Sequence, residues 1–261
     1  MKKLIAILCL ALLPGLFACG AEEQPQEPLA GLRAEGYDYP YSDGDSPVRA
    51  FAAGGYDFLY EEAGGGIEVF ITIPPDEEDE NLEIKLPAYV DGKPLLGGFL
   101  KNMACRELRV PETMLDLVLS TSWVDTIVIP RGLESISFDR ADYKTAFVDP
   151  DNPFLGEIDG VLINKVRATL IRYPFLRGGK IRYTVPDGIT GLEAWAFRNV
   201  HTEAELIEIV IPPAVTAFPD DYESLNFTTA IVAAPGSAAQ AYVNECNADG
   251  RQLKLALRDF E

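Results

Sequence analysis

The sequence predicts a mainly β fold: a solenoid of short parallel strands joined by irregular return segments, with one hairpin inserted between repeats. Three observations predict it. A ten-position phrase recurs along the chain, its apolar spacing changes from two to three at a proline, and the residues before 51 read as export signal and tether instead of core.

The phrase is apolar, x, apolar, Pro, x, x, apolar, x, x, apolar. Ile209, Ile211, Pro212, Val215 and Phe218 fill it, and so do Ile127, Ile129, Pro130, Leu133 and Ile136. Leu108, Val110, Pro111, Met114 and Leu117 give another copy, and Tyr183, Val185, Pro186, Ile189 and Leu192 a further one. Ile84, Leu86, Pro87 and Val90 form a shorter copy; Ile71, Ile73 and Pro74 supply the strand half only. The strands AFV at 146–148 and AIVAA at 230–234 occupy the expected places without the proline in register. In a strand, residues two apart share a side, so Ile209 and Ile211 face inward and Val210 outward. Proline has no N–H and ends the ladder. The three-residue spacing that follows suits a turn or a 3₁₀-like return path closing a thin core. One such unit buries too little to fold alone, so neighbours must stack on it.

Taken in order, the amino terminus is an export signal over residues 1–18: Lys2 and Lys3, the apolar run Leu4 to Leu13, then Pro14-Gly15. Ten helical residues rise only about 15 Å, half the hydrocarbon thickness of a bilayer. Leu16-Phe17-Ala18-Cys19 resembles the lipobox of bacterial lipoproteins, which implies a lipid on Cys19. Residues 19–50, rich in Glu, Gln, Pro, Asp and Gly, read as a flexible tether. The folded domain is expected over 51–261. Within it Gly64-Gly65-Gly66 marks a turn before IEVFITI, and GVLIN with ATLIRYP forms the inserted hairpin.

The phrases IVIPPAVTAF, VPDGITGLEAWAF and LPAYVDGKPLLGGF resemble the BspA-like leucine-rich repeats, with Ala196-Phe197 matching their Ala-Phe pair and Cys105-x-x-Leu108 the small residue ahead of the strand. EIDGVLINKVRATLIRYP and APGSAAQAYVNECNADG also look like segments of that family, over roughly residues 67 to 250. The resemblance implies a leucine-rich-repeat solenoid and a role in adhesion or recognition at the bacterial surface; with the lipobox, and with Gly20 in place of the aspartate that retains many lipoproteins at the inner membrane, the expectation is an exported, membrane-anchored lipoprotein of the outer membrane or cell surface.

A formal charge of −19 leaves no basic stripe for a phosphate backbone, which excludes nucleic acid as the expected partner. The single histidine, His201, and two distant cysteines, Cys105 and Cys246, do not assemble a nucleophile with its base or a tetrahedral zinc site. DEEDE at 76–80 lacks the spacing of a calcium loop and reads as a solvated turn. Trp123 and Trp195 sit at repeat positions and read as core or near-core. No cofactor, metal or catalytic residue is expected, and the chain is read as a non-enzyme. The alternatives are an envelope carbohydrate-active enzyme using carboxylates, and a structural protein that self-associates. The outward strand position recurs once per unit, so stacking predicts Lys85, Arg109, Val128, Phe147, Thr184 and Val210 along one face, a candidate contact for a protein or glycan ligand.

Overall fold

The computed structural model describes residues 33–34, 36–39, 48–75, 81–174, 181–197, 206–220 and 229–260. The signal peptide, Cys19, residues 76–80 and His201 lie outside them. The strands in chain order are β1 (Arg33–Ala34), β2 (Tyr37–Tyr39), β3 (Val48–Ala53), β4 (Tyr56–Ala63), β5 (Gly66–Ile73), β6 (Glu83–Lys85), β7 (Tyr89–Val90) and β8 (Lys93–Lys101). Next come β9 (Ala104–Arg109), β10 (Asp116–Ser120), β11 (Trp123–Ile129), β12 (Ser135–Asp139), β13 (Asp142–Val148), β14 (Leu155–Ile158), β15 (Val161–Asn164) and β16 (Thr169–Arg172). The remainder is β17 (Ile181–Thr184), β18 (Gly191–Leu192), β19 (Leu206–Ile211), β20 (Ala230–Ala233), helix α1 (Ala238–Ala248) and β21 (Lys254–Leu257). The fold is mainly β.

From β8 to β13 the chain alternates between two parallel sheets. β8, β10 and β12 lie side by side in one, and β6, β9, β11 and β13 in the other. From Gly97 onward the register repeats every 19 residues in both, Gly97 pairing with Asp116 and Asp116 with Ser135 while Ala104 pairs with Trp123 and Trp123 with Asp142; β6 meets β9 at 24. The proline corner has the expected form, with the N–H of Met114, Ile189 and Val215 bonded to the carbonyls of Pro111, Pro186 and Pro212. Beyond it the return path is a second strand, not the irregular segment expected. Leu117 and Leu119, then Ile136 and Phe138, alternate inward there with period two. The opposite corner uses a left-handed residue in every turn, Asn102, Thr121 and Arg140, again 19 apart in sequence. The inward residues of both sheets, Leu108, Ile127, Leu117 and Ile136 among them, join one core.

The amino-terminal part is not a repeat. β3, β4 and β5 form an antiparallel meander with β2 on its edge, and β1 pairs with β7. The stretch expected as a tether over 19–50 therefore contributes strands at 33–34, 37–39 and from 48 onward. Backbone pairing orders them where few aliphatic side chains signal it. Gly64-Gly65, at φ of 59° and 88°, make the two-residue turn between β4 and β5, as the glycine run predicts.

The inserted hairpin appears as β14–β15–β16, antiparallel, joined to β18 in parallel. Asn152 closes the regular stack against it. Its buried amide donates to the carbonyls of Pro130 (2.8 Å) and Leu133 (2.9 Å) and accepts from the N–H of Phe154 (2.8 Å) and Leu155 (2.7 Å). A second core runs through β17, β19, β20 and α1. It holds Tyr183 and Ile209, buried as their inward assignment predicts. Ser237 caps α1, its hydroxyl accepting the Gln240 N–H at 3.3 Å. Between the two cores Arg172, fully buried, pairs with buried Asp142 through Nε at 3.0 Å and through Nη2, and its Nη1 donates to the Trp195 carbonyl.

Candidate functional site

The six outward positions predicted to share one face fall in two sheets. Lys85, Arg109, Val128 and Phe147 stand in register across β6, β9, β11 and β13. Thr184 and Val210 are in register with each other on β17 and β19, in a different sheet. Val210 is not on a solvated face. It and its neighbour Val232 are buried, as are Ile209 and Ile231, so the middle of this sheet is covered on both sides, the ordinary condition of parallel strands. On the first sheet Phe147 is 58% exposed and Val128 half-buried. Arg109 is held by Glu107 at 2.5 Å, and Lys144 pairs with Asp125 at 2.6 Å while lying 5.9 Å from the centre of the Trp123 ring. Most charges on this face are therefore already matched.

The opposite sheet carries a feature that the sequence reading missed. A groove of about 510 Å³ opens on the outer side of β4, β5, β8 and β10. Three of the chain's exposed large apolar side chains, Phe70, Phe99 and Leu115, line it together. Two breaks in register build its walls. Leu59 pairs with Ile71 and Tyr60 with Val69, so the alternation that puts Glu68 and Phe70 outward breaks after Phe70: Ile71, expected inward with Ile73, is exposed and Thr72 is buried. Ile67 pairs with Leu95 and Glu68 with Gly97, which leaves Leu96 without a partner in that ladder. Such bulges re-aim single side chains out of the alternation. Gly66 is required beside them, because a Cβ there would lie 2.5 Å from Leu96 Cγ.

The floor of the groove is Gly97, flanked in register by Glu68 on β5 and Asp116 on β10. Glu61 on β4 stands directly opposite Glu68. A row of three exposed carboxylates thus crosses four neighbouring strands, with a glycine gap between the second and third. Among the described residues Glu61, Glu68 and Asp116 form no ion pair, although Asp116 accepts a hydrogen bond from the Ser135 hydroxyl. Lys93 and Arg49 pair with Glu62, which alternation turns to the other face of β4, and the Lys93 ammonium holds the Glu62 carboxyl below the usual carboxylate range. Among the described residues no three His, Cys, Asp or Glu side chains converge on a single metal-sized point.

The two cysteines and Tyr143 are buried, and the two tryptophans half-buried. Cys105 and Cys246 are free thiols; burial pushes the first up to about 12 and raises the second. Burial also raises Tyr143, whose hydroxyl accepts the Leu162 N–H at 3.1 Å and lies 2.9 Å from the Arg172 carbonyl it donates to. Trp123 is half-buried and donates to Asp125 at 3.1 Å. Trp195 is half-buried at the junction between the cores, in a left-handed conformation.

No family model matches the chain, and no curated protein does. Among solved structures it is similar to a leucine-rich repeat protein from Eubacterium ventriosum, with 13% identity, 77% of this chain and 73% of that one covered, and a TM-score of 0.35. It is also similar to the pneumococcal vaccine antigen PcpA, with 9% identity, coverage of 67% and 74%, and a TM-score of 0.31. A leucine-rich cell surface protein from Faecalibacterium prausnitzii matches with 13% identity, coverage of 67% and 73%, and a TM-score of 0.25.

Proposed function

We propose that the chain is an exported BspA-like leucine-rich-repeat solenoid, anchored through lipid on Cys19, whose work is noncatalytic recognition of a protein or glycan at the cell surface. The observation that carries this reading is the groove beside Gly97, where Phe70, Phe99 and Leu115 stand exposed together across neighbouring strands. Exposed apolar side chains scattered singly need no explanation, but a cluster in a shaped depression marks a contact. The Cys19 anchor and the residues up to 32 would hold that surface at the membrane face.

The rival reading, a carbohydrate-active enzyme, has one observation in its favour: Glu68 and Asp116 flank the groove floor. Both are solvent-exposed, whereas a catalytic acid of this type is kept protonated by apolar burial. The test is a screen of the full chain, displayed on cells, against extracellular-matrix proteins and a glycan array. Binding is expected to fall in Phe99→Ser with Leu115→Ser and to survive in Val128→Asp with Phe147→Asp. Bond cleavage in any glycan would replace this reading with the enzyme. Retention of Cys19→Ser in the membrane fraction would remove the lipid anchor from it.

A further inference from the structure

We propose that the groove over Gly97 is the docking site for an extended peptide segment of a partner protein, with an arginine or lysine at Gly97 and apolar side chains two residues away. This rests on the recognition reading and specifies its ligand.

Charge points to the occupant. Glu61 and Glu68 are directly opposed across β4 and β5, an arrangement that destabilises a sheet when nothing positive lies between. The fold nonetheless keeps the local cations, Lys93 and Arg49, on Glu62 and Asp91 instead. An incoming cation relieves that repulsion, so the groove gains on binding what the free chain lacks. A second copy of this chain is a poor occupant, since its charge of −19 repels the rim. Neutral and anionic glycans leave the carboxylates unmatched. A lone metal ion does not fit either, because the carboxylates are strung across strands about 4.8 Å apart instead of converging.

Spacing points to an extended chain. Phe99 follows Gly97 by two residues on β8, and Val118 follows Asp116 by two on β10, in register with Phe99. That puts an apolar row about 7 Å from the acidic row, which is the i to i+2 distance of an extended peptide. With no side chain on Gly97, the Glu68 side chain leans over it, its Cγ 3.5 Å from where a Cβ would stand, and a guanidinium laid above it can bond the Glu68 or Asp116 carboxylate while its plane stacks on Phe99 or Phe70. The two bulge residues, Phe70 and Leu96, grip the apolar neighbours on either side.

The test uses the full chain and a panel of end-blocked seven-residue peptides. The central residue is Arg, Lys, Gln or Glu, and the residues two away are Phe, Leu or Ser. Binding is followed by fluorescence anisotropy at low and high salt. Arg- and Lys-centred peptides with apolar flanks are expected to bind roughly tenfold tighter than the Gln-centred ones, with the gap closing at high salt. Glu68→Gln with Asp116→Asn should erase the preference for a basic centre and leave the apolar preference. Gly97→Leu, which fills the floor, should abolish both. A Cβ at Gly97 meets its neighbours at an ordinary 3.5 Å, and Phe99→Ser, at an exposed position, is the second variant should Gly97→Leu disturb the sheet. No preference for a basic centre, or a preference unchanged in Glu68→Gln with Asp116→Asn, overturns the proposal. If the same chain still binds a matrix protein or glycan, only the groove assignment is lost; if it binds nothing, the recognition reading falls with it.

Discussion

The stretch from Gly97 to Val148 and the stretch from Leu155 to Leu257 are built from the same phrase, yet they keep time differently. In the first, register advances by 19 residues in both sheets without exception. In the second, partners run 169 to 191, 184 to 210, 209 to 231 and 231 to 255, that is 22, 26, 22 and 24 residues. A constant advance stacks equivalent residues into columns, as in the Arg109–Val128–Phe147 row, whereas the groove lies where the first regular strands, β8 and β10, meet the antiparallel meander. A variable advance keeps the inward residues aligned, because burial demands it, and lets the connections differ in length. The regular half displays surfaces; the irregular half closes a core around hairpin and helix. The join between them is the hairpin, which sends Leu155, Leu162 and Ile171 into the first core and Val161 and Leu170 into the second, with Asn152 and the Asp142–Arg172 pair as its polar part.

The largest effect is expected from breaking that join. Arg172→Met leaves the Asp142 carboxylate buried without its cation, a loss of about 3–5 kcal/mol, whereas Asp142→Leu combined with Arg172→Met should recover most of it. The chain's two tryptophans report one half each, Trp123 on β11 and Trp195 beside the second core. In urea unfolding, Trp195→Phe and Trp123→Phe backgrounds should give coincident midpoints with Arg172 present and separate ones with Arg172→Met. Coincidence after the substitution would mean that the cores are coupled by something other than this pair.

A smaller loss is expected at Asn152, which stands 19 residues after Leu133 where a continuing repeat would place an apolar residue. Asn152→Leu restores the phrase but strands the carbonyls of Pro130 and Leu133 and the N–H groups of Phe154 and Leu155. The cost should be roughly 2–4 kcal/mol by thermal or urea unfolding, since buried unmatched groups are costly. If stability is unchanged, the regular stack can run on through this point and the hairpin is an ornament.

Much of this was legible in the chain itself, because inward positions repeat whatever surrounds them: Leu108, Ile127, Tyr183 and Ile209 are all buried as the phrase requires. The hairpin was legible from its two apolar runs. The second strand of each turn was visible too, in the alternation of Leu117 with Leu119 and Ile136 with Phe138. The three-residue step at the corner masks it when only one of the two is counted. Val210 was misplaced because alternation tells which side a residue faces, not whether that side is covered. The groove could not be read: alternation with Glu68 puts Phe70 outward, but its meeting with Phe99 and Leu115 and the break at Leu96 depend on which strands lie side by side, and no local pattern records a register. The amino-terminal strands escaped for a related reason: two- and three-residue strands are ordered by their partners.

The smallest expected effect tests the regular half alone, at the corner that repeats every turn. Asn102, Thr121 and Arg140 share a left-handed conformation, with φ of 56°, 48° and 53°. Asparagine tolerates that region, while a β-branched threonine is strained in it. The strain persists because each corner is bonded to the next, the Asn102 N–H to the Ser120 carbonyl at 3.1 Å and the Thr121 N–H to Asp139 at 2.8 Å. Thr121→Gly removes a conformational cost of about 1–2 kcal/mol and adds unfolded-state entropy worth about 0.5–1 kcal/mol, so the net gain should be near 0.5–1 kcal/mol. Asn102→Gly, one turn earlier, should leave the urea midpoint almost unmoved. Equal responses at the two positions would mean that the corner is set by its neighbours' bonds and not by its own residue, and the columns on both faces would then owe their regularity to the stack instead of to each unit.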